Sequence, residues 1–172
     1  MEIQRDAMVS KIETNPQSVD WLALLHLLRS CFAYMHDRID PPSSLNRMSL
    51  EDLIAKANHE DLFLIQDANT PIACLFGAQR PDTYYVGKMA VAQTHQGKGL
   101  AKQLVEVAAN RALALGHTSL ELESRVELTE NHAAFTRIGF VKISETAHKG
   151  YTRATSFTFR RDLSSPHGAG GL

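Results

Sequence analysis

Gln96-Gly97-Lys98-Gly99-Leu100-Ala101 stands between a stretch rich in Tyr and Val, Thr83 to about Ala92, and a run whose apolar residues Leu100, Leu104, Val107, Ala108 and Leu115 recur at helical spacing. The order is strand, glycine loop, helix. Glycines at the opening of a helix let backbone N–H groups approach an anion at the positive end of the helix dipole, so the segment reads as a diphosphate cradle. Its blander reading is a helix N-terminus with two flexible glycines. Two other phosphate loops are excluded. A Walker A loop needs glycine five residues before Gly97 and Ser or Thr after Lys98, where the chain has Ala92 and Gly99. A dinucleotide fingerprint fails at Lys102, which occupies the place of its third glycine.

Working outward, Thr118 to Ser124 alternates Leu120 and Leu122 with Glu121 and Glu123, the period of a strand with one apolar face. Across the intervening helix, which Gly116 closes, it is expected to run parallel to the strand before the loop. Thr129 caps a short helix through about Arg137, Gly139 ends it, and two last strands follow near Phe140 to Thr146 and Tyr151 to Arg161. Upstream, an extended start around Val9 to Glu13 precedes a helix in which Trp21, Leu24, Leu25, Leu28, Cys31, Phe32 and Met35 form one apolar stripe. That helix must stop near Asp37 to Asp40, because Pro41 and Pro42 cannot continue it. Ser49 reads as the N-cap of a second helix reaching about Asn58, with Glu51 and Asp52 in its first turn. Leu62 to Gln66 and Ile72 to Ala78 form a hairpin around the turn composition Asp67-Ala68-Asn69-Thr70-Pro71. Residues 1–163 are expected to form one domain, with residues 164–172 a flexible polar tail.

Bulk properties narrow the classes of partner. The 172 residues, 44% hydrophobic, suffice for one substantial core. Lys and Arg number 18 against 19 Asp and Glu, so no global positive field draws nucleic acid or an anionic membrane. Met1 to Ser10 lacks the apolar core of a signal peptide, and Cys31 and Cys74 sit in apolar contexts that suit reduced, buried thiols. A cytoplasmic protein is expected. His59-Glu60 lacks the second His of a zinc helix and the other histidines are scattered, so no metal is implied.

The six loop residues match Gln/Arg-x-x-Gly-x-Gly/Ala, the acetyl-CoA signature of the GNAT superfamily, and Tyr84-Tyr85-Val86-Gly87-Lys88-Met89-Ala90-Val91 resembles the strand that precedes it there. The element order resembles that fold from Val9 to Leu163. The resemblance implies an α/β (α+β) fold: a mixed, mostly antiparallel sheet of about six or seven strands, flanked by four helices, with one parallel pair splayed around the cofactor. It implies that backbone N–H groups of Gln96, Gly97, Lys98, Gly99, Leu100 and Ala101 hold the pyrophosphate of acetyl-CoA, while the backbone of Met89 and Val91 pairs with the pantetheine arm. Lys98 and Lys102 either add charge or are solvated lysines on a helix face. The second family region, Leu120 to Phe140, departs from the pattern. Counting back from Gly139, Phe135 stands at the position of the usual general-acid Tyr and Leu128 at that of the pantetheine-binding Asn. Asn131, one helical turn later, either reaches the cofactor or satisfies its own backbone.

Acyl transfer to an amine needs a base for the ammonium proton, a donor for the developing oxyanion and a proton for the departing thiolate. Glu121 and Glu123 are candidate bases, against the reading of solvated or ion-paired carboxylates. The resemblance assigns the oxyanion donor to a backbone N–H near Ala90 to Ala92. Tyr151 is the preferred acid, with Tyr34, Tyr84 and Tyr85 as rivals. The acceptor site is expected between the loop after the first helix and the last strand pair, where Tyr34, His36, Arg38, Ser43, Ser44, His148, Tyr151 and Arg153 fall, with Arg38 and Arg153 as candidate carboxylate ligands. The expected function is N-acetyl transfer from acetyl-CoA to a small or amino-acid-like amine, with a homodimer compatible with it. The alternatives are a non-catalytic acyl-CoA-binding module and a protein N-terminal or lysine acetyltransferase.

Overall fold

The computed structural model describes residues 11–164, so Met1 to Ser10 and the expected tail beyond Ser164 lie outside the described residues. The chain runs β1 (Ile12–Thr14), α1 (Trp21–Phe32), α2 (Leu50–His59), β2 (Asp61–Asp67), β3 (Thr70–Gln79), β4 (Tyr84–Val91), α3 (Leu100–Ala114), β5 (Ser119–Arg125), α4 (Thr129–Arg137), β6 (Val141–Thr146) and β7 (Ser156–Asp162). One seven-stranded sheet has the order β1-β2-β3-β4-β5-β7-β6, antiparallel throughout except for the parallel pair β4–β5. This is the mixed, mostly antiparallel sheet with four helices that the resemblance implies.

Local chemistry sets the boundaries. Asp20 accepts from the Ala23 N–H to start α1, and Ser49 and Asp52 exchange hydrogen bonds as a capping box at the start of α2. The apolar stripe predicted as one helix through Met35 breaks at Phe32, where the chain tightens into a 3-10 turn, Ala33–Met35. The hairpin β2–β3 closes more tightly than its five-residue turn composition suggests. Asp67 pairs with Thr70, and Ala68 and Asn69 both take positive φ (49° and 67°), which leaves Pro71 inside β3. The last strand starts at Ser156 rather than Tyr151, after a loop that includes Gly150 at φ 88°.

Alternation along the strands divides the core into two layers. Phe63, Leu75, Tyr84, Val86, Leu120 and Leu122 pack against Leu104, Val105, Ala108 and Ala112 of α3. Leu62, Leu64, Cys74, Phe76 and Ala90 face the opposite way, onto Leu24 and Leu28 of α1 and Leu53 of α2. Each fully buried Leu of this kind contributes about 1.5–3 kcal/mol of transfer free energy. Because side chains alternate, Tyr85, Glu121 and Glu123 emerge on the α1/α2 side of the sheet.

Candidate active site

β4 and β5 pair only through Tyr84 with Leu120 and Tyr85 with Glu121, and then diverge. The cause lies in β4. Between the pairs Phe76–Gly87 and Cys74–Ala90 it carries one residue more than β3, and Lys88 takes up the excess at φ 51°. Such a bulge bends its strand and increases the local twist. Cys74 Sγ donates to the Lys88 carbonyl at 3.4 Å across it. The divergence opens a cleft of about 1880 Å³ whose walls include α1, the loop before α3, and α4.

The glycine loop forms one rim. Gly97 (φ 79°) and Gly99 (φ 78°) are in the left-handed region, and a Cβ at either would meet nothing within 4 Å. The first helical bond of α3 runs from the Gln103 N–H to Gly99 O at 3.1 Å, and no acidic residue stands in the first turn. Among the described residues, the N–H groups of Gly97 to Lys102 donate to no protein acceptor. Six consecutive free donors at a positive helix end fit a pyrophosphate. Gly97, Gly99, Leu100 and Ala101 line the cleft with Gln96, whereas Lys98 and Lys102 are exposed and outside its lining. Gln96 Nε2 donates to Val91 O at 3.2 Å, and Cys31 Sγ donates to the same oxygen at 3.2 Å. Since the Ala92 N–H is bonded to Ile72 O, ladder alternation turns the Val91 N–H away from β3. Met89 and Val91 both line the cleft.

Of the tyrosines, Tyr34 and Tyr85 line the cleft and Tyr84 and Tyr151 do not. Asn131 Nδ2 donates to Tyr34 Oη at 3.2 Å, which leaves the phenol hydrogen free. Tyr151 instead donates to Asp40 Oδ1 at 2.6 Å, and that bond pushes its ionisation up. Burial, with Glu123 beside it, pushes Tyr85 up to about 12, partly offset by Arg80 stacked 3.7 Å from its ring centre. Phe135 lines the cleft and packs edge-on against Phe140, while Leu128 is buried with Met35 and Ile39.

The charged candidates divide in the same way. Glu123 is exposed and lines the cleft; Glu121 is outside it, bonded to Arg160 Nη2 at 2.8 Å. Arg38 is held by both carboxylate oxygens of Glu130 and by Glu127 O, and Arg153 donates to Asp40 O at 2.8 Å with the Asp40 carboxylate 3.6 Å away. These two arginines tie the loop after α1 to the β5–α4 and β6–β7 connections. Four cations that the sequence reading passed over line the cleft: Lys88 and Arg125 on the splayed strands, and Arg29 and Lys56 on the helices α1 and α2. Gly87, isolated in a strand pattern, was the available signal for the bulge that carries Lys88. Arg125 extends the Glu121, Glu123 alternation by one step. His148 also lines the cleft, its Nδ1 on Thr155 Oγ1, and burial followed by Arg125 pulls its pKa down.

A family model described as acetyltransferase (GNAT) matches residues 21–140. The ribosomal-protein-S18-alanine N-acetyltransferase from Escherichia coli superposes with a TM-score of 0.67 at 17% identity, over 91% of this chain and 96% of that one. A GNAT family acetyltransferase from Elizabethkingia anophelis with acetyl-CoA bound gives 0.62 at 16%, over 89% and 97%. An acetyltransferase from Streptococcus agalactiae gives 0.71 at 14%, over 91% and 99%. At these identities the likeness is one of fold. No helix among the described residues is long and apolar enough to cross a membrane.

Proposed function

We propose that this chain, which belongs to the GNAT acetyltransferase family and so to the acyl-CoA-dependent N-acetyltransferases, moves an acetyl group from acetyl-CoA to the primary amine of a small, amino-acid-like acceptor. The observation that carries this reading is a single cleft lined both by Gly97, Gly99, Leu100 and Ala101, whose N–H groups have no acceptor among the described residues, and by Glu123. Acetyl-CoA supplies the activated acyl group. The loop N–H groups bind its pyrophosphate, and the Val91 N–H pairs with the pantetheine arm along the splayed edge of β4. Glu123, directly or through water, takes a proton from the acceptor ammonium. The amine nitrogen then attacks the thioester carbonyl, a C–N bond forms, the C–S bond breaks and a thiolate leaves, while the second proton that nitrogen loses on becoming an amide passes through water to restore the acid that protonates the thiolate. Backbone N–H groups near Ala90 to Ala92 stabilise the charge on the carbonyl oxygen.

Protonation of the thiolate falls to Tyr34. Its hydroxyl lines the cleft, accepts from Asn131 and keeps its own hydrogen, whereas Phe135 has none to give and Tyr151 has its hydrogen on Asp40. Glu121, bonded to Arg160, supports the strand rather than the proton transfer. The free thiols Cys31 and Cys74 accord with a cytoplasmic enzyme.

Phe135 also motivates a second reading, an acyl-CoA-binding module without turnover. A third, transfer to a protein N-terminus, follows the name of the Escherichia coli relative. Incubation with acetyl-CoA and separate pools of amino acids, polyamines and peptides, followed by mass spectrometry, separates them. An acetylated amino acid supports the proposal; an acetylated peptide alone favours the third reading, and no product in any pool favours the second.

A further inference from the structure

Lys88 and Arg125 stand on opposite sides of the splay. The last pair of β4 with β5 is Tyr85 with Glu121, and Lys88 and Arg125 follow it by three and four residues on the two parting strands. Both side chains are half-buried and line the cleft, and among the described residues no carboxylate oxygen lies within 4.0 Å of either. Lys88 Nζ has one long contact, to Ser44 Oγ at 3.4 Å. Arg125 gives two of its five N–H donors to Pro41 O (2.7 Å) and Pro42 O (3.2 Å), which fixes the guanidinium with donors left over. By contrast Lys56, also in the cleft wall, is paired with Glu60 at 2.8 Å. Burial pulls the pKa of Lys88 down, with Lys56 and Arg125 adding repulsion against the attraction of Glu60. Burial likewise lowers that of Arg125, opposed by Glu127, Tyr151 and Asp40. A desolvated cation without a counter-ion is costly, and an anion arriving between two of them relieves both.

We infer that the acceptor carries an anionic group, a carboxylate or phosphate, bound between Lys88 and Arg125, so that these two residues set acceptor specificity. The inference rests on the transfer reading above and deepens it. Glu123 is two residues before Arg125 on the same face of β5, roughly 7 Å along the strand. A zwitterionic acceptor is therefore met at both ends: its ammonium by the Glu123 carboxylate and its anion by the two cations. Arg38 and Arg153 do not compete for that anion, because each is already matched by an acidic partner.

The experiment compares twins that differ only in the anion: amino acids with their amides, and phosphoethanolamine with ethanolamine. In thiol-release assays, KM for the anionic member is expected to be lower by about tenfold or more, the effect of hydrogen bonds to a charged group. The favoured twin set tells carboxylate from phosphate. In Lys88→Met the ratio within the twin set is expected to fall toward one while calorimetric affinity for acetyl-CoA is unchanged. Arg125→Lys, which keeps charge but loses the planar fork, is expected to retain part of the preference. A neutral twin preferred or equal, or an unaltered ratio in both variants, overturns the inference. If no amine releases thiol, the transfer reading fails separately, and calorimetry on the CoA-loaded wild-type protein decides this one. N-acetylglycine and N-acetyl-phosphoethanolamine are then compared with N-acetylglycinamide and N-acetylethanolamine. Tighter binding of either anion supports the inference, and equal binding within both pairs overturns it.

Discussion

Gln96 Nε2 donates to the carbonyl oxygen of Val91 at 3.2 Å, so the glycine loop is tied to the end of the strand that leads into it. The same oxygen receives the Cys31 thiol, and three elements, β4, α1 and the loop, thus meet at one atom. The free N–H groups of the loop are held in fixed relation to the free edge of β4.

Gly99→Val is expected to weaken acetyl-CoA binding by far more than it weakens the fold. At φ 78° a branched residue costs about 1–2 kcal/mol of backbone strain. A Cβ there meets no protein atom within 4 Å, so the added methyl groups project into the open space before the loop N–H groups. Calorimetry with acetyl-CoA, beside thermal unfolding, separates the two effects. Unchanged affinity in a folded variant removes the loop from the cofactor site.

Cys31 is half-buried on the cleft wall, and burial raises its pKa; Cys74 is fully buried and pushed up to about 12. Maleimide is therefore expected to modify Cys31 alone, slowly at neutral pH and faster as pH rises. Saturating acetyl-CoA is expected to protect it. Mass spectrometry of the labelled protein with and without acetyl-CoA checks this, and labelling indifferent to acetyl-CoA places the pantetheine arm elsewhere.

Where chemistry is local, the sequence was legible. Ser49 with Asp52, the glycines of the loop, and the alternation Leu120-Glu121-Leu122-Glu123 each declare their structure within a few residues. The parallel strand pair followed from the helix between its members. What was illegible depends on partners distant in the chain. Nothing near Arg38 announces Glu130, and nothing near Tyr151 announces Asp40, 92 and 111 residues away. Both side chains were candidates by residue type and segment, and both are engaged by acids that only the fold brings near. Lys88 was hidden for another reason: a bulge turns a strand residue out of its alternation, so period two no longer tells where it points.

Gly77→Ala is expected to destabilise the domain by about 1–3 kcal/mol or more, the cost of overpacking a core. A Cβ there lies 2.2 Å from Tyr84 Oη and 2.5 Å from two of its ring carbons. Because ring atoms are part of the clash, Tyr84→Phe is expected not to rescue Gly77→Ala. Denaturant unfolding of both single variants and the double variant is the check, and full recovery in the double variant contradicts it.

Asp61 accepts from Tyr84 at 2.6 Å, from Asn15 at 2.8 Å and from Arg111 at 3.1 Å. Burial alone raises its pKa, but the bonds from Arg111, Tyr84 and Asn15 outweigh it, so the folded value lies below the ordinary carboxylate range. The stabilisation is thus present above the unfolded pKa of about 3.9 and is lost as pH falls through the folded value. Wild type is expected to exceed Asp61→Asn in stability by a constant margin above about pH 5, and by a shrinking one below about pH 4. Urea midpoints across that range test the sign; a margin that grows toward acid refutes it.

Direct acetyl transfer in the cleft between β4 and β5 makes Glu123 the base. The most direct measurement is the rate of thiol release from acetyl-CoA, with and without amino-acid amines, for wild type and Glu123→Gln. Amine-dependent release is expected in wild type and about a hundredfold less in the variant at neutral pH, with acetyl-CoA affinity intact. The deficit is expected to narrow as pH rises and free amine becomes abundant. Full activity in Glu123→Gln, or wild type that binds acetyl-CoA yet releases no thiol with any amine, rules out direct transfer with Glu123 as base.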